Sequence, residues 1–351
     1  MQLSIDFFLS SKLRSPQKES ARVTHGPLID THQHPIPDYY KRALAKVGIH
    51  GSGENPWADW SVSSQLEMMD KNGIAVAINS IASPGVYFGD IEFAARLARE
   101  CNENSAHMVA DHPNRFGAFA ILPLPDVGAA VREAEYALDT LKLEGVCLLT
   151  HVGDRHLGQP EENELYAELD RRRAVVFVHP LRNQAKNMPA YNYPSGMTEL
   201  VLDTTRAIHN LLWNGTFGKY PSIRWIMPHG GGTVPFLIYR MSAMNDRPRV
   251  AEKLEGGTVA NTLRQLYYDV AEICAPGPLK CLMEMAEPSH VLFGSDFPFS
   301  RHITPEKDVE SSISAFEAFG EWDASTRRSV ESENALALFP RLAKRLSPSA
   351  R

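Results

Sequence analysis

The sequence predicts an α/β protein of the (β/α)8 TIM-barrel class, with long loops after strands 1 and 5. Three observations carry that prediction. Eight short apolar runs recur along the 351 residues, with helical patterns between them. Most are nearly continuous in apolar residues, as strands buried on both faces of a parallel sheet are. The turn after the first run reads Thr-His-Gln-His-Pro, where a doubly wound open sheet would want a glycine-rich phosphate turn. Strand–helix alternation repeated eight times then closes into a barrel.

In chain order the expected strands are Pro27–Gln33, Val76–Ala82, Phe116–Leu122, Gly145–His151, Val175–His179, Ile223–Pro228, Leu266–Val270 and Val291–Gly294. Between them, Ser64-Gln-Leu-Glu67 has the pattern of a capping box, followed by Met68 and Met69 and closed by Gly73. Asp126 precedes Val127, Val131, Ala134, Leu138 and Leu141, which share one helical face. Pro160-Glu-Glu opens a helix with proline early and acids in the first turn, as the macrodipole favours. Thr198 to Phe217 is long enough for a helix of about five turns. Asp38–Ser61, with Arg42, Trp57 and Trp60, and Leu181–Met197, with Arg182, Lys186, Tyr191 and Tyr193, are the two long loops. Both leave the C-terminal ends of strands, where barrel enzymes build their sites and where long loops serve as lids or pocket walls. The domain reading is an extension over 1–25, one barrel over 26–340, and a frayed tail over 341–351.

Composition narrows the function classes. With 43% hydrophobic and 22% charged residues, the chain has material for a large core. A net charge of −6 and a pI near 6.1 argue against nucleic acid or an anionic membrane as partner. Cys101, Cys147, Cys274 and Cys281 form no C-x-x-C pair, which fits a reducing cytoplasm. No apolar run reaches the eighteen or so residues of a membrane span, and residues 1–25 lack the charged and apolar regions of a signal peptide. The extension and the two bulky loops point to a homodimer.

The chemistry gathers at strand ends. His32 and His34 are two apart on strand 1, so their side chains point the same way and can reach one cation. His179 ends strand 5, His229 ends strand 6 before three glycines, and Asp296 emerges after strand 8. A carboxylate leaving a buried strand is costly unless it is paired or bound to metal. Three imidazoles and one carboxylate on one rim make a mononuclear site with room for substrate, leaving His229 for proton transfer. A rival allocation makes His229 a ligand and Asp296 purely a base. His151, at the end of strand 4, reads as a structural or pocket residue. Strand 4 contains no lysine, which removes the bridging carbamylated lysine of binuclear barrels and favours a single ion.

Asp30-Thr-His-Gln-His34, Val178-His-Pro180, Pro228-His-Gly-Gly-Gly232 and Gly294-Ser-Asp-Phe-Pro298 resemble the amidohydrolase superfamily, and within it the aminocarboxymuconate-semialdehyde decarboxylase branch. Met69-Asp-Lys-Asn-Gly-Ile74, Ser83-Pro-Gly-Val86 and Arg115-Phe-Gly117 with Leu122-Pro-Leu-Pro-Asp126 are similar to the salicylate-type decarboxylases, the 6-methylsalicylate group above all. The resemblance implies His32, His34, His179 and Asp296 as ligands of one divalent ion, zinc first and manganese second, and His229 as the acid/base. It also implies non-oxidative decarboxylation of an aromatic hydroxy acid that the metal chelates, with no organic cofactor. Where the muconate enzyme carries tryptophans near a Met-Pro step, this chain has Tyr191, Tyr193 and Gly196-Met197, which favours a differently shaped acid. Trp57, Trp60, Tyr191 and Phe297 are candidate apolar walls, and Arg42, Arg182 and Arg301 candidate carboxylate clamps. The alternative is a hydrolase of a lactone, amide or ester, with Asp296 or His229 as base for a metal-activated water.

Overall fold

The computed structural model describes residues 27–52, 55–181, 196–299 and 305–347. The expected extension over 1–25 and the candidates Arg182, Tyr191 and Arg301 lie outside the described residues. Eight parallel strands form one sheet in chain order: β1 (Leu28–Gln33), β2 (Ile74–Asn79), β3 (Phe116–Ile121), β4 (Gly145–Leu149), β5 (Val175–His179), β6 (Arg224–Met227), β7 (Tyr267–Asp269) and β8 (Val291–Leu292). The segment after β8 meets β1 to close the ring. Thr31 N–H donates to Phe293 O (2.9 Å), Asp296 N–H to His32 O (2.8 Å) and His34 N–H to Phe297 O (2.7 Å). This is the predicted barrel.

Alternation along the strands separates the interior from the helix-facing layer. Val76, Ile78, Phe119, Ile121, Val175, Phe177 and Ile226 fall in one buried cluster, with Phe119 and Phe177 stacked at 5.3 Å. Ala77, Ala118, Ala120, Val176 and Val178, one step out of phase, pack in the other cluster against the helices. β1 breaks this rhythm. Ile29 sits with the first cluster, yet His32, three residues on, has its ring 4.9 Å from Phe177. A regular strand forbids that spacing, and the β1–β2 ladder is irregular between Asp30 and Gln33. Such an irregularity re-aims side chains, and here it turns His32 and His34 toward the barrel mouth.

Several local expectations are corrected. The helix α2 (Val62–Asn72) starts earlier than the Ser64–Glu67 pattern implies: Ser61 is the N-cap, and the reciprocal partner is Ser64. Three serines at 61, 63 and 64 offered the same chemistry, and the chain uses the first. Gly73 closes α2 in the left-handed region, φ 67°, as expected. Asp126 caps its helix by accepting from Ala129 N–H. The long helix expected over Thr198–Phe217 is α6 (Gly196–Trp213), broken at Gly215 (φ 81°) before a short turn Thr216–Lys219. The loop Asp38–Ser61 contains a helix, Asp38–Ala45. His151 lies beyond β4, on a two-stranded ribbon that pairs His151–Val152 with Arg155–His156. The tail set apart over 341–351 begins in a docked helix, Pro340–Leu346, with Leu342 buried and Arg345 2.9 Å from Glu144. Among the described residues no helix is long and apolar enough to cross a membrane.

Candidate active site

The strand ends bring His32, His34, His179 and Asp296 together, with one ligand atom from each lying within 4.8 Å of the others. All four are buried. In each imidazole, Nδ1 is occupied: His32 by Asp269 Oδ2 (2.9 Å), His34 by the Ser80 carbonyl (3.0 Å), His179 by the Pro180 carbonyl (2.9 Å). A carbonyl or carboxylate can only accept, so each Nδ1 carries a hydrogen, and in the neutral imidazole Nε2 presents a lone pair inward. Those three Nε2 atoms and Asp296 Oδ1 are buried and make no hydrogen bond, although His34 and His32 Nε2 come within 3.0 and 3.3 Å of that oxygen. Leaving four acceptors unsatisfied and facing one another is costly. The donor set, three neutral imidazoles and one carboxylate, is what a divalent first-row ion takes. The residues fit such an ion.

Charge at the centre follows from the same geometry. Burial disfavours the imidazolium of His32, but Asp269 and Asp296 outweigh it and push its pKa up to about 10. Burial holds His34 below the ordinary range and His179 well below it. Burial alone would raise Asp296, yet the charge on His32 and the close imidazole nitrogens of His229, His32 and His34 hold its carboxyl well below the usual carboxylate range. An entering ion must therefore displace a proton from His32. Metal affinity should rise by up to tenfold per pH unit from about pH 6 to pH 9, below the raised pKa, with one proton released. Chelator competition across that range measures it, and a flat profile would rule out His32 as a protonated ligand precursor.

His229 stands across from the four, with Nε2 3.3 Å from Asp296 Oδ2 and its ring 5.1 Å from that of His32. Its backbone is in the left-handed region (φ 52°), as is that of Asp296 (φ 63°). Non-glycine residues adopt this at a cost and hold it where the surroundings enforce it. Asp269 Oδ1 accepts His229 N–H at 3.0 Å, which is part of that enforcement. The glycines that follow supply the rest. Gly232 has φ 66° and ψ −125°, and a Cβ there would fall on the Val201 carbonyl and 2.6 Å from Thr205 Oγ1. Gly294 serves close packing instead, because a Cβ would meet those of His32 and Asp269 at 2.9 and 3.2 Å. Its absence lets the segment after β8 lie against both.

Residues 29–341 match the amidohydrolase family model. The chain belongs to the amidohydrolase family. It is 36% identical over 327 residues to 6-methylsalicylic acid decarboxylase of Penicillium expansum, covering 90% of this chain and 96% of that one. It is 35% identical over 335 residues to 6-methylsalicylic acid decarboxylase acuB of Aspergillus aculeatus, covering 90% and 96%. Among solved structures, the crystal structure of an amidohydrolase II superposes with a TM-score of 0.80 at 28% identity, covering 89% of this chain and 99% of that one.

The substrate-facing candidates are distributed differently in this amidohydrolase. Arg42 is exposed on the helix Asp38–Ala45, whose buried side chains are Tyr40 and Leu44. Trp57 lies against Tyr40, ring centroids 6.3 Å apart. Trp60 is buried and donates its indole N–H to Gln65 Oε1 (3.2 Å), and Gln65 in turn donates to Gln33 and Asn79 (2.6 and 2.7 Å). It is therefore the end of a buried amide chain beneath the site rather than an open wall. Phe297 buries its ring in the core and reaches the site through its carbonyl, which accepts from His34. Phe299, which sequence reasoning passed over, has its ring 5.4 Å from that of His34.

Three carboxylates were also passed over. Asp269 ends β7, orients His32 and holds His229 N–H. Asp30 accepts from His32 N–H, Ser295 N–H and Gln33 Nε2, and burial pushes its pKa up to about 6. Glu272 (φ 58°) brings a carboxylate oxygen within 4.8 Å of ligand atoms on His229 and Asp296. The signal was present for Asp269. A carboxylate at the end of an apolar strand is the same clue that drew attention to Asp296.

Proposed function

We propose that this amidohydrolase-family decarboxylase removes the carboxyl group, without oxidation, from a hydroxybenzoate of the salicylate type, 6-methylsalicylate foremost. In this reading His32, His34, His179 and Asp296 hold one divalent ion, zinc first and manganese second, and His229 moves the proton. The observation that carries it is likeness over 90% of the chain to two 6-methylsalicylic acid decarboxylases in a chain whose orphaned Nε2 and Oδ1 atoms converge beside a spare imidazole. Once bound, the ion would supply positive charge to gather a carboxylate with its ortho oxygen and to stabilise negative charge on the substrate.

The protein's own groups do the rest. His229, as imidazolium, gives its proton to the ring carbon that bears the carboxylate, and a C–H bond forms at the expense of aromaticity. The bond to the carboxylate then breaks, carbon dioxide leaves, and the electron pair returns to the ring. His229 is left neutral and recovers its proton from solvent. Asp296 Oδ2 lies 3.3 Å from His229 Nε2 and holds the imidazole in place. Burial of the centre excludes bulk water, which strengthens these charges.

The test is a panel of hydroxybenzoates supplied to metal-loaded protein, read by stoichiometric carbon dioxide release and a shift in aromatic absorbance. Every hydroxybenzoate surviving intact, beside a lactone, amide or ester that is cleaved, would replace this reading with the hydrolase one. We extend the proposal to a homodimer in a reducing cytoplasm. Four free cysteines, three of them buried, support the compartment. Phe236 and Tyr239, 79% and 87% exposed on the helix Val234–Ser242, support the dimer. Light scattering should give twice the mass of the chain, and Phe236→Asp should lower it toward one; a monomeric mass for the unaltered chain removes the claim.

A further inference from the structure

A second cluster of titratable side chains lies beside the metal centre and plays no part in the reaction above. Asp203, on α6, is fully buried. Its Oδ1 accepts from His156 Nε2 at 2.8 Å. Its Oδ2 is shared by His151 Nδ1 (2.9 Å), the Thr150 hydroxyl and the backbone N–H of Leu181 (3.3 Å). His151 and His156 face each other across the short ribbon, ring centroids 5.4 Å apart. The set has the composition of a metal site, but its nitrogens behave unlike those of the first centre. There the inward Nε2 atoms crowd Asp296 Oδ1 without making a hydrogen bond; here His151 Nδ1 and His156 Nε2 each make one to Asp203. The cluster is complete as a latch.

A buried carboxylate with this many donors is an expensive way to join a loop to a helix. Burial would raise Asp203, but its bonds from His151 and His156 hold it well below the usual carboxylate range, so it is an anion. The fold did not need it to pair the strands, since the β4–β5 ladder already aligns Leu149 with His179. What the latch adds lies just past that ladder. Thr150 N–H donates to the His179 carbonyl (2.9 Å), and Thr150 Oγ1 accepts from Leu181 N–H (3.0 Å). The backbone on both sides of Pro180 is thus clamped, and the Pro180 carbonyl is the group that orients His179 Nδ1.

We propose that Asp203 is a positioning residue for the metal centre, acting through Thr150 and Leu181 to fix residues 179–181 and thereby the imidazole of His179. The proposal rests on the reading of His179 as a metal ligand. His151 and His156 hold Asp203 in place from the ribbon side, through Oδ2 and Oδ1 respectively.

Two latch variants and one control test it. Asp203→Asn keeps the shape but sets an amide N–H against backbone and hydroxyl donors. Thr150→Val is milder and removes one hydroxyl between Asp203 and Leu181. Asn210→Ala is the control: Asn210 ties α6 to the ribbon through the His156 and Leu157 carbonyls (3.3 and 2.7 Å) without touching residues 179–181. Zinc affinity by chelator competition should fall about tenfold or more for the two latch variants, the range seen when a ligand's supporting partner is lost. The control should keep wild-type zinc affinity even where its melting temperature falls. Should Thr150→Val and Asn210→Ala both bind zinc as wild type does, the latch only stabilises the fold and the proposal is overturned. Wild-type protein that takes up neither zinc nor manganese would instead sink the metal reading, and this proposal with it. Loss of affinity in the latch variants while wild type decarboxylates no hydroxybenzoate would uphold the latch and reject only the substrate.

Discussion

His229→Asn should reduce turnover of a hydroxybenzoate by about 10²–10⁴-fold, the span attributed to a positioned acid or base, while metal content stays near one ion per chain. The imidazole is the spare nitrogen base at the centre: its Nε2 faces Asp296 Oδ2, on the side of the carboxylate away from the orphaned Oδ1. Asparagine fills part of the space and remains polar, but it cannot carry a proton to carbon. The loss should fall on kcat, with KM little changed, because the proton moves only in the transition state. Elemental analysis beside steady-state kinetics separates the outcomes. A variant that loses its metal would make His229 a ligand and return Asp296 to the role of base. A variant that keeps both metal and turnover would remove His229 from the mechanism.

The metal cluster was legible because its parts announce themselves locally. His32 and His34 share a strand face by spacing alone, and His179, His229 and Asp296 each follow an apolar run that must end at the barrel mouth. Barrel topology then does the gathering, since every parallel strand ends on the same rim. The pairings that aim His32 and His34 were not legible, because the partners lie far away in sequence, even where the partner itself, Asp269, carries a local clue. Ser80 meets His34 across 46 residues and Asp269 meets His32 across 237. Nothing near either position marks the pairing. Aromatic loop residues were harder for a related reason: whether Trp60 lines a pocket or turns inward depends on the path of the whole loop, and its indole N–H found Gln65 beneath the site. His151 shows the middle case. Its structural reading was available from position, whereas its carboxylate, on α6, was not.

Asp269→Asn should strike both halves of the site at once. One carboxylate oxygen holds His32 Nδ1 (2.9 Å), and the other accepts from His229 and Ala271 N–H groups at 3.0 Å each. An amide has a single acceptor oxygen, so whichever way it turns, its NH2 confronts a buried donor. Turnover of metal-saturated protein should fall about 10–100-fold, as for other lost partners of a ligating histidine. The pH dependence of metal binding carries a sharper signature. Asp269 is the foremost of the charges that lift His32 to about 10 against the effect of burial. With that charge gone, His32 holds its proton less tightly, and binding releases less than a full proton near neutrality. The rise of affinity with pH should therefore flatten in the variant while persisting in wild type. A variant with wild-type turnover and an unchanged slope would show that Asp269 neither orients His32 nor charges it. The centre would then owe its geometry to the β1 irregularity and the ligands alone.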